Sequence, residues 1–192
     1  SRVDHPPVGV KVEYSSGLTT HFATADAEGN VVTITQTLGG AFGSAVVAVY
    51  TGVFMNNMCK WFDIDPTIES PNLIGPGKQQ DFCIAPAQIF EAEGDKKIRM
   101  SISTPGSWGI LHTTTQMMSN HIDAGMNVQE AIEAPRFRFY DTGMLLLENR
   151  FPVRMREDLA RRGHRVHVAP DWHNAVGGGQ GIQFTQHGTM LG

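Results

Sequence analysis

The chain has 192 residues and a formal net charge of −4, enough for one sizeable domain with its own core, and without the basic field that nucleic acid or an anionic membrane would need. Its apolar runs, such as Met144-Leu145-Leu146-Leu147, are strand-length and far short of the roughly 20 residues that span a bilayer, which argues against membrane insertion. Small molecules and other proteins remain as partners.

In chain order, Ser1-Arg2-Val3-Asp4-His5-Pro6-Pro7 lacks the apolar stretch of a signal peptide, which decides little if the chain is an internal piece of a larger precursor. Residues 1 to 18 read as an extended arm ending in Ser15-Ser16-Gly17, suitable for a cleavage site or a linker. Thr19-Thr20 then opens an alternating run to Asp26. A β-branched threonine is an ordinary strand residue. Thr19 also has a chemical reading: a cut before it would place a new α-amino group, of unperturbed pKa near ~8, on the residue that carries the hydroxyl. One residue would then supply both nucleophile and general base.

Strands at about 19 to 26 and 31 to 38 flank Ala27-Glu28-Gly29-Asn30 and predict a hairpin. The small residues Gly39-Gly40-Ala41-Phe42-Gly43-Ser44 suit close backbone approach. Val46 to Val49 fit a short strand or the start of a buried turn, and Thr51 to Met55 another strand. Residues 56 to 80, punctuated by Pro66, Pro71, Gly75, Pro76 and Gly77, read as a long loop, a candidate lid or specificity wall. A second hairpin fits residues 83 to 91 and 97 to 103, ended by Pro105-Gly106-Ser107.

The period then becomes helical: Ile110, Leu111, Thr114, Met117, Met118, His121 and Ile122 predict a helix over 108 to 124 stopped by Gly125, with the methionines as core filling. Asn127 caps a short helix Val128 to Glu133, which Pro135 ends. Strands at 136 to 141 and 144 to 149 follow, then a helix from Pro152 to Arg162, then strands at 164 to 168 and 182 to 184. Gly177-Gly178-Gly179-Gln180-Gly181 lacks the Gly-Lys-Ser/Thr context of a phosphate loop and reads as a turn into a strand. Two strand blocks with helices between them predict a layered α+β domain, with two sheets covered by helices.

Cys59 and Cys83 lack CxxC spacing and read foremost as free, largely buried thiols, ahead of one disulfide or a metal site. His164 and His167 would point to opposite faces of a strand, against a shared metal ion.

Thr19-Thr20-His21-Phe22, Asp26 with Glu28-Gly29-Asn30, Thr35-Gln36-Thr37-Leu38, Phe42-Gly43-Ser44, Asn56-Asn57, Pro105-Gly106, Asn127-Val128-Gln129-Glu130-Ala131 and Ala134-Pro135-Arg136-Phe137 form one ordered series. From Thr19 to the end, the chain resembles the small subunit of the gamma-glutamyltransferase family. That resemblance implies the four-layer αββα sandwich of the N-terminal nucleophile hydrolases. It also implies self-cleavage of the Leu18–Thr19 bond and an amide substrate handled through an acyl-enzyme, with no cofactor or metal. Residues 1 to 18 would be the tail of the large subunit and 19 to 192 the small catalytic subunit, the two remaining associated. Thr19 matches the nucleophile, Thr37 a second threonine that orients it, and Gly106 and Ser107 the turn whose N–H groups receive the oxyanion. Family members in bacteria are often exported, so a periplasmic or extracellular location is implied, with the cytoplasm as the alternative.

The substrate contacts depart from the family pattern. Gly39 stands where the family has asparagine, Trp61 where it has an acid before phenylalanine, and Phe82-Cys83 where it has a serine pair. Two readings follow. An acyl group lacking the amino-acid head, such as the glutaryl group taken by the related cephalosporin acylases, would suit the more apolar pocket. Alternatively, Trp61 and Phe82 are core residues and Asp63 or Asp65 takes over the ammonium contact. A third reading, from another class, is a non-catalytic binding module; retention of Thr19, Thr37 and Pro105-Gly106 argues against it.

Overall fold

The computed structural model describes residues 19–92, 94, 97–185 and 187–192. The extended arm lies outside them. Strand β1 (Thr19–Ala25) and strand β2 (Val31–Thr37) form an antiparallel hairpin in which Thr19 faces Thr37 and Ala25 faces Val31. Its turn is set by local chemistry: Asp26 Oδ1 accepts the N–H groups of Glu28 and Asn30 at 3.0 and 2.9 Å, and Gly29 takes a φ of +87°.

The second layer is a four-stranded sheet of β3 (Ala87–Phe90), β4 (Ile98–Ser103), β8 (Gln180–Phe184) and β9 (Met190–Leu191), in that spatial order. β4 is its centre and is covered on both faces. Met100 and Ile102 meet Met117 of α1 (Gly109–Ile122) and Val128 of α2 (Val128–Glu133) in a buried cluster edged by Ile89, Met118 and Ile132. Each such fully buried side chain stabilises the fold by about 1.5 to 3 kcal/mol. The opposite face of β4 carries Ser101 and Ser103 and meets the hairpin. α2 has a complete capping box: Asn127 Oδ1 accepts from Glu130 N at 3.0 Å, and Glu130 Oε2 accepts from Asn127 N at 2.9 Å.

The prediction of two sheets needs correction, because a third exists. Strands β5 (Phe137–Phe139) and β6 (Met144–Glu148) pair antiparallel, and β6 pairs in parallel with β7 (Arg165–Ala169) across helix α3 (Val153–Arg161). This βαβ unit packs Leu146 and Ala169 against Ala175 and Val176, and buries Glu148 in an ion pair with Arg150. Two local expectations also fail. Residues 46 to 55 form only an isolated Val47–Phe54 bridge, with Val46, Val49, Tyr50 and Val53 exposed. Both cysteines are free, but Cys59 is exposed and only Cys83 is buried.

The hairpin inverts the usual distribution of polarity. Its inward face carries Thr19, His21, Ala23, Thr33, Thr35 and Thr37, whereas Phe22 and Val32 on the outer face are 40% and 53% exposed. A buried polar face must be hydrogen-bonded. His21 Nδ1 lies 2.7 Å from Thr35 Oγ1, which in turn donates to Ser103 Oγ at 3.5 Å, joining the hairpin to β4.

Burial pushes the His21 imidazole below its ordinary value, and His112 is lowered by burial and by the charge of Arg138. A folded pKa below the unfolded one means that, under pH 6.5, the unfolded chain binds protons the folded chain refuses. Stability from this source is present above that value and is lost as pH falls. The urea midpoint is expected to drop from pH 7 to pH 5, with a shallower drop in His21→Gln. An equal drop in both proteins would remove His21 from the explanation.

Candidate active site

Thr19 is the first residue of β1 and Thr37 the last of β2, and the register sets them opposite each other with both side chains on the inward face. Thr37 Oγ1 accepts the N–H of Gly39 at 2.9 Å. Gln88, the partner of Ser101, reaches the carbonyl of Val31 at the start of β2, while Thr35 meets Ser103 at the end of β4. β2 and β4 therefore advance toward the same end of the stacked layers. That end carries Thr19, Thr37 and the turn Pro105-Gly106-Ser107 that follows β4.

The turn has the backbone that two consecutive glycines would adopt: Gly106 has a φ of +140° and Ser107 one of +54°. Serine in that region costs about 1 to 2 kcal/mol, so its surroundings must hold it there. Gly106 O accepts from Gly109 N at 3.1 Å and Ser107 O from Ile110 N at 3.0 Å, fastening the turn to the first turn of α1. Gly106 O also accepts from Arg138 Nη1 at 3.3 Å. Gly177 lies beneath, 3.5 Å from where a Cβ on Gly106 would stand.

Two of the substrate-side candidates, Trp61 and Phe82, pack beside this turn. Trp61 ends a 3₁₀ turn, Met58–Trp61, within the long loop, and its ring packs 5.9 Å from Phe82 and 5.4 Å from Trp108. Trp108 directly follows Ser107, so the aromatic wall continues from the Gly106-Ser107 turn. Its adjacency to that turn was the only sequence signal for it. The loop is pinned by Asn72, whose side chain donates to Trp61 O at 2.6 Å and accepts from Asp81 N at 2.7 Å. That arrangement suits a wall better than a lid. Cys83 is fully buried, and desolvation pushes its thiol up to about 11, so it is not a nucleophile at neutral pH.

Gly39 is buried with a φ of +83°, and a Cβ there would lie 2.3 Å from Asn57 Oδ1. Asn57 Oδ1 already accepts from Gly40 N at 2.9 Å. A side chain at position 39 would have to displace the Asn57 side chain from this contact, and the positive φ favours glycine there. Asp63 accepts from the Ser70 hydroxyl, and Asp65 accepts from Thr67 N at 2.9 Å and Thr67 Oγ1 at 2.7 Å, so both carboxylates are engaged within the loop.

A family model described as gamma-glutamyltranspeptidase matches residues 5–192. The acylase ACY 1 proenzyme of Pseudomonas sp. (strain SE83) is 37% identical over 174 residues, covering 91% of this chain and 30% of that protein. The glutathione hydrolase proenzyme of Escherichia coli (strain K12) is 31% identical over 193 residues, covering 96% of this chain and 32% of that protein. A solved threonine-to-alanine mutant of Helicobacter pylori gamma-glutamyltranspeptidase superposes with a TM-score of 0.76 at 27% identity, covering 90% of this chain and 96% of that one. This chain thus spans about a third of the length of the curated relatives it matches. Its α+β architecture is that of the solved family members, and the chain belongs to the gamma-glutamyltranspeptidase family.

Proposed function

We propose that this chain is the catalytic part of a precursor that cleaves itself at Leu18–Thr19. The product would be a threonine-nucleophile amidohydrolase or acyltransferase acting on γ-glutamyl or related small amides. One observation carries the reading: Thr19, Thr37 and the left-handed Gly106-Ser107 turn share one end of the stacked strands.

In this reaction the free α-amino group of Thr19 takes the proton from its own Oγ, directly or through a water, and Oγ attacks the substrate carbonyl. Thr37, whose hydroxyl accepts from Gly39 N–H, orients the nucleophile by donating its own proton. The developing oxyanion is received by the N–H groups of Gly106 and Ser107, each worth about 3 to 4 kcal/mol in such sites. The amine leaves with the transferred proton, and water or an acceptor amine resolves the acyl-enzyme.

The partner in this reading is the rest of the precursor, retained as a large subunit. Phe22 and Val32 on the outer hairpin face, and Val46, Val49, Tyr50 and Val53 in the following segment, are exposed apolar residues in need of cover. A helical layer from the large subunit would complete the four-layer sandwich there.

A second reading, an acylase for a non-glutamyl amide, is favoured by the wall of Trp61, Phe82 and Trp108 and by glycine at position 39, which offers no polar side chain to an amino-acid head. It agrees with the acylase relative. Mass spectrometry of the purified full-length precursor tests both: a new N-terminus at Thr19 is expected, and a chain that stays intact would sink them. Relative turnover of γ-glutamyl and glutaryl anilides then separates one from the other.

A further inference from the structure

We infer that Arg138 is a positioning residue for the oxyanion site, acting through the Gly106–Ser107 peptide; this rests on the function proposed above. The carbonyl of Gly106 and the N–H of Ser107 belong to one peptide group. Arg138 Nη1 donates to that carbonyl at 3.3 Å, and Gly109 N donates to it at 3.1 Å. A cationic donor on the oxygen draws electron density from the peptide nitrogen and makes its N–H a stronger donor. The Ser107 N–H faces the negative charge that appears only as the substrate carbonyl is attacked. The effect therefore falls on the transition state rather than on ground-state binding.

The surroundings of Arg138 fit this role. It is the middle residue of β5, and Gln116 of α1 clamps the preceding residue, accepting from Phe137 N at 3.0 Å and donating to Phe137 O at 2.9 Å. Its guanidinium lies 4.4 Å from the centroid of the Tyr140 ring, and its Cδ is 3.1 Å from where a Cβ on Gly109 would stand. Among the described residues no carboxylate forms an ion pair with Arg138, and its Nε is buried with no hydrogen-bond partner. Its hydrogen bond to Gly106 O is thus the polar contact its Nη1 makes. A half-buried cation held by a backbone carbonyl and a ring rather than by a carboxylate keeps its charge available to the peptide it touches.

The test uses the full-length processed enzyme and whichever anilide the wild type turns over. In Arg138→Gln, kcat should fall about tenfold with KM within twofold, less than the loss from deleting a direct oxyanion donor. Arg138→Lys, which keeps the charge, should recover most of the rate. A boronate bearing the same acyl chain, which becomes a tetrahedral anion on Thr19 Oγ, should bind Arg138→Gln more weakly by the same factor. The neutral ground-state amide should bind unchanged. A wild-type kcat in Arg138→Gln, equal losses in the Lys and Gln variants, or equal weakening of boronate and amide would overturn the inference. If Arg138→Gln does not fold, Arg138→Lys carries the test through its kcat and boronate affinity, which must then stay near wild type. An unprocessed, inactive wild type is a different result: it removes the nucleophile assignment and this inference with it.

Discussion

Thr19→Ala in the full-length precursor should remain a single uncleaved chain and lose amide turnover by at least about four orders of magnitude, as nucleophile deletions do elsewhere. Two chemical roles vanish together in this variant. In the proposed reaction the hydroxyl attacks both the peptide bond ahead of residue 19 and the substrate amide, and without that cut the α-amino base would not be released. The fold should survive: Thr19 opens β1, its hairpin partner is another small residue, Thr37, and no large core side chain is lost. Thr19→Ser keeps a hydroxyl and should still process. Intact-mass analysis and anilide hydrolysis read both outcomes, and turnover near the wild-type rate in Thr19→Ala would refute the assignment of the nucleophile.

What the sequence made legible was local. The 19–38 hairpin follows from the Asp26 to Asn30 turn, and α2 follows from Asn127 and Glu130, because a turn or cap is decided within a few residues. The pairing of Thr19 with Thr37 was implicit in that hairpin, since a symmetric register about the turn sets the two ends opposite. The third sheet was not legible, because a parallel pair across a helix depends on non-local packing. Trp108 and Arg138 escaped for the same reason: their partners, Trp61 and Gly106, lie far from them in sequence. The apolar residues of 46 to 55 misled in the opposite direction. Hydrophobicity signals burial against something, but not whether this chain supplies the covering layer.

Substrate choice is a matter of which charges the site can satisfy. A γ-glutamyl head brings an ammonium and a carboxylate, and leaving one buried charge unpaired costs about 3 to 5 kcal/mol. Asp63 and Asp65 are engaged within their own loop, and the wall beside the Gly106-Ser107 turn is built of Trp61, Phe82 and Trp108. Neither Asp63 nor Asp65 is held ready for an ammonium, so a γ-glutamyl head has no dedicated carboxylate in this loop.

The glycine run is where a small change should have a large effect. Gly177 has φ +72° and ψ −173°, a region essentially closed to residues with a side chain. A Cβ there would lie 2.1 Å from both Pro105 O and Thr104 Oγ1, at the root of the Gly106-Ser107 turn. Gly177→Ala is therefore expected to cost about 3 to 5 kcal/mol, the sum of backbone strain and overpacking, and to lower Tm by roughly 10 °C. In whatever fraction stays folded, relief of the clash must displace Pro105, so kcat should fall further than KM rises. Gly178→Ala is the internal control: a Cβ there would meet only Gln180 Nε2, at 4.0 Å, and near-wild-type stability and rate are expected. Calorimetry and steady-state kinetics on the two variants decide the matter. Equal damage from both would mean that the run matters for its flexibility, whereas damage confined to Gly177 ties it to the close approach beneath the turn that holds Gly106 and Ser107 in place.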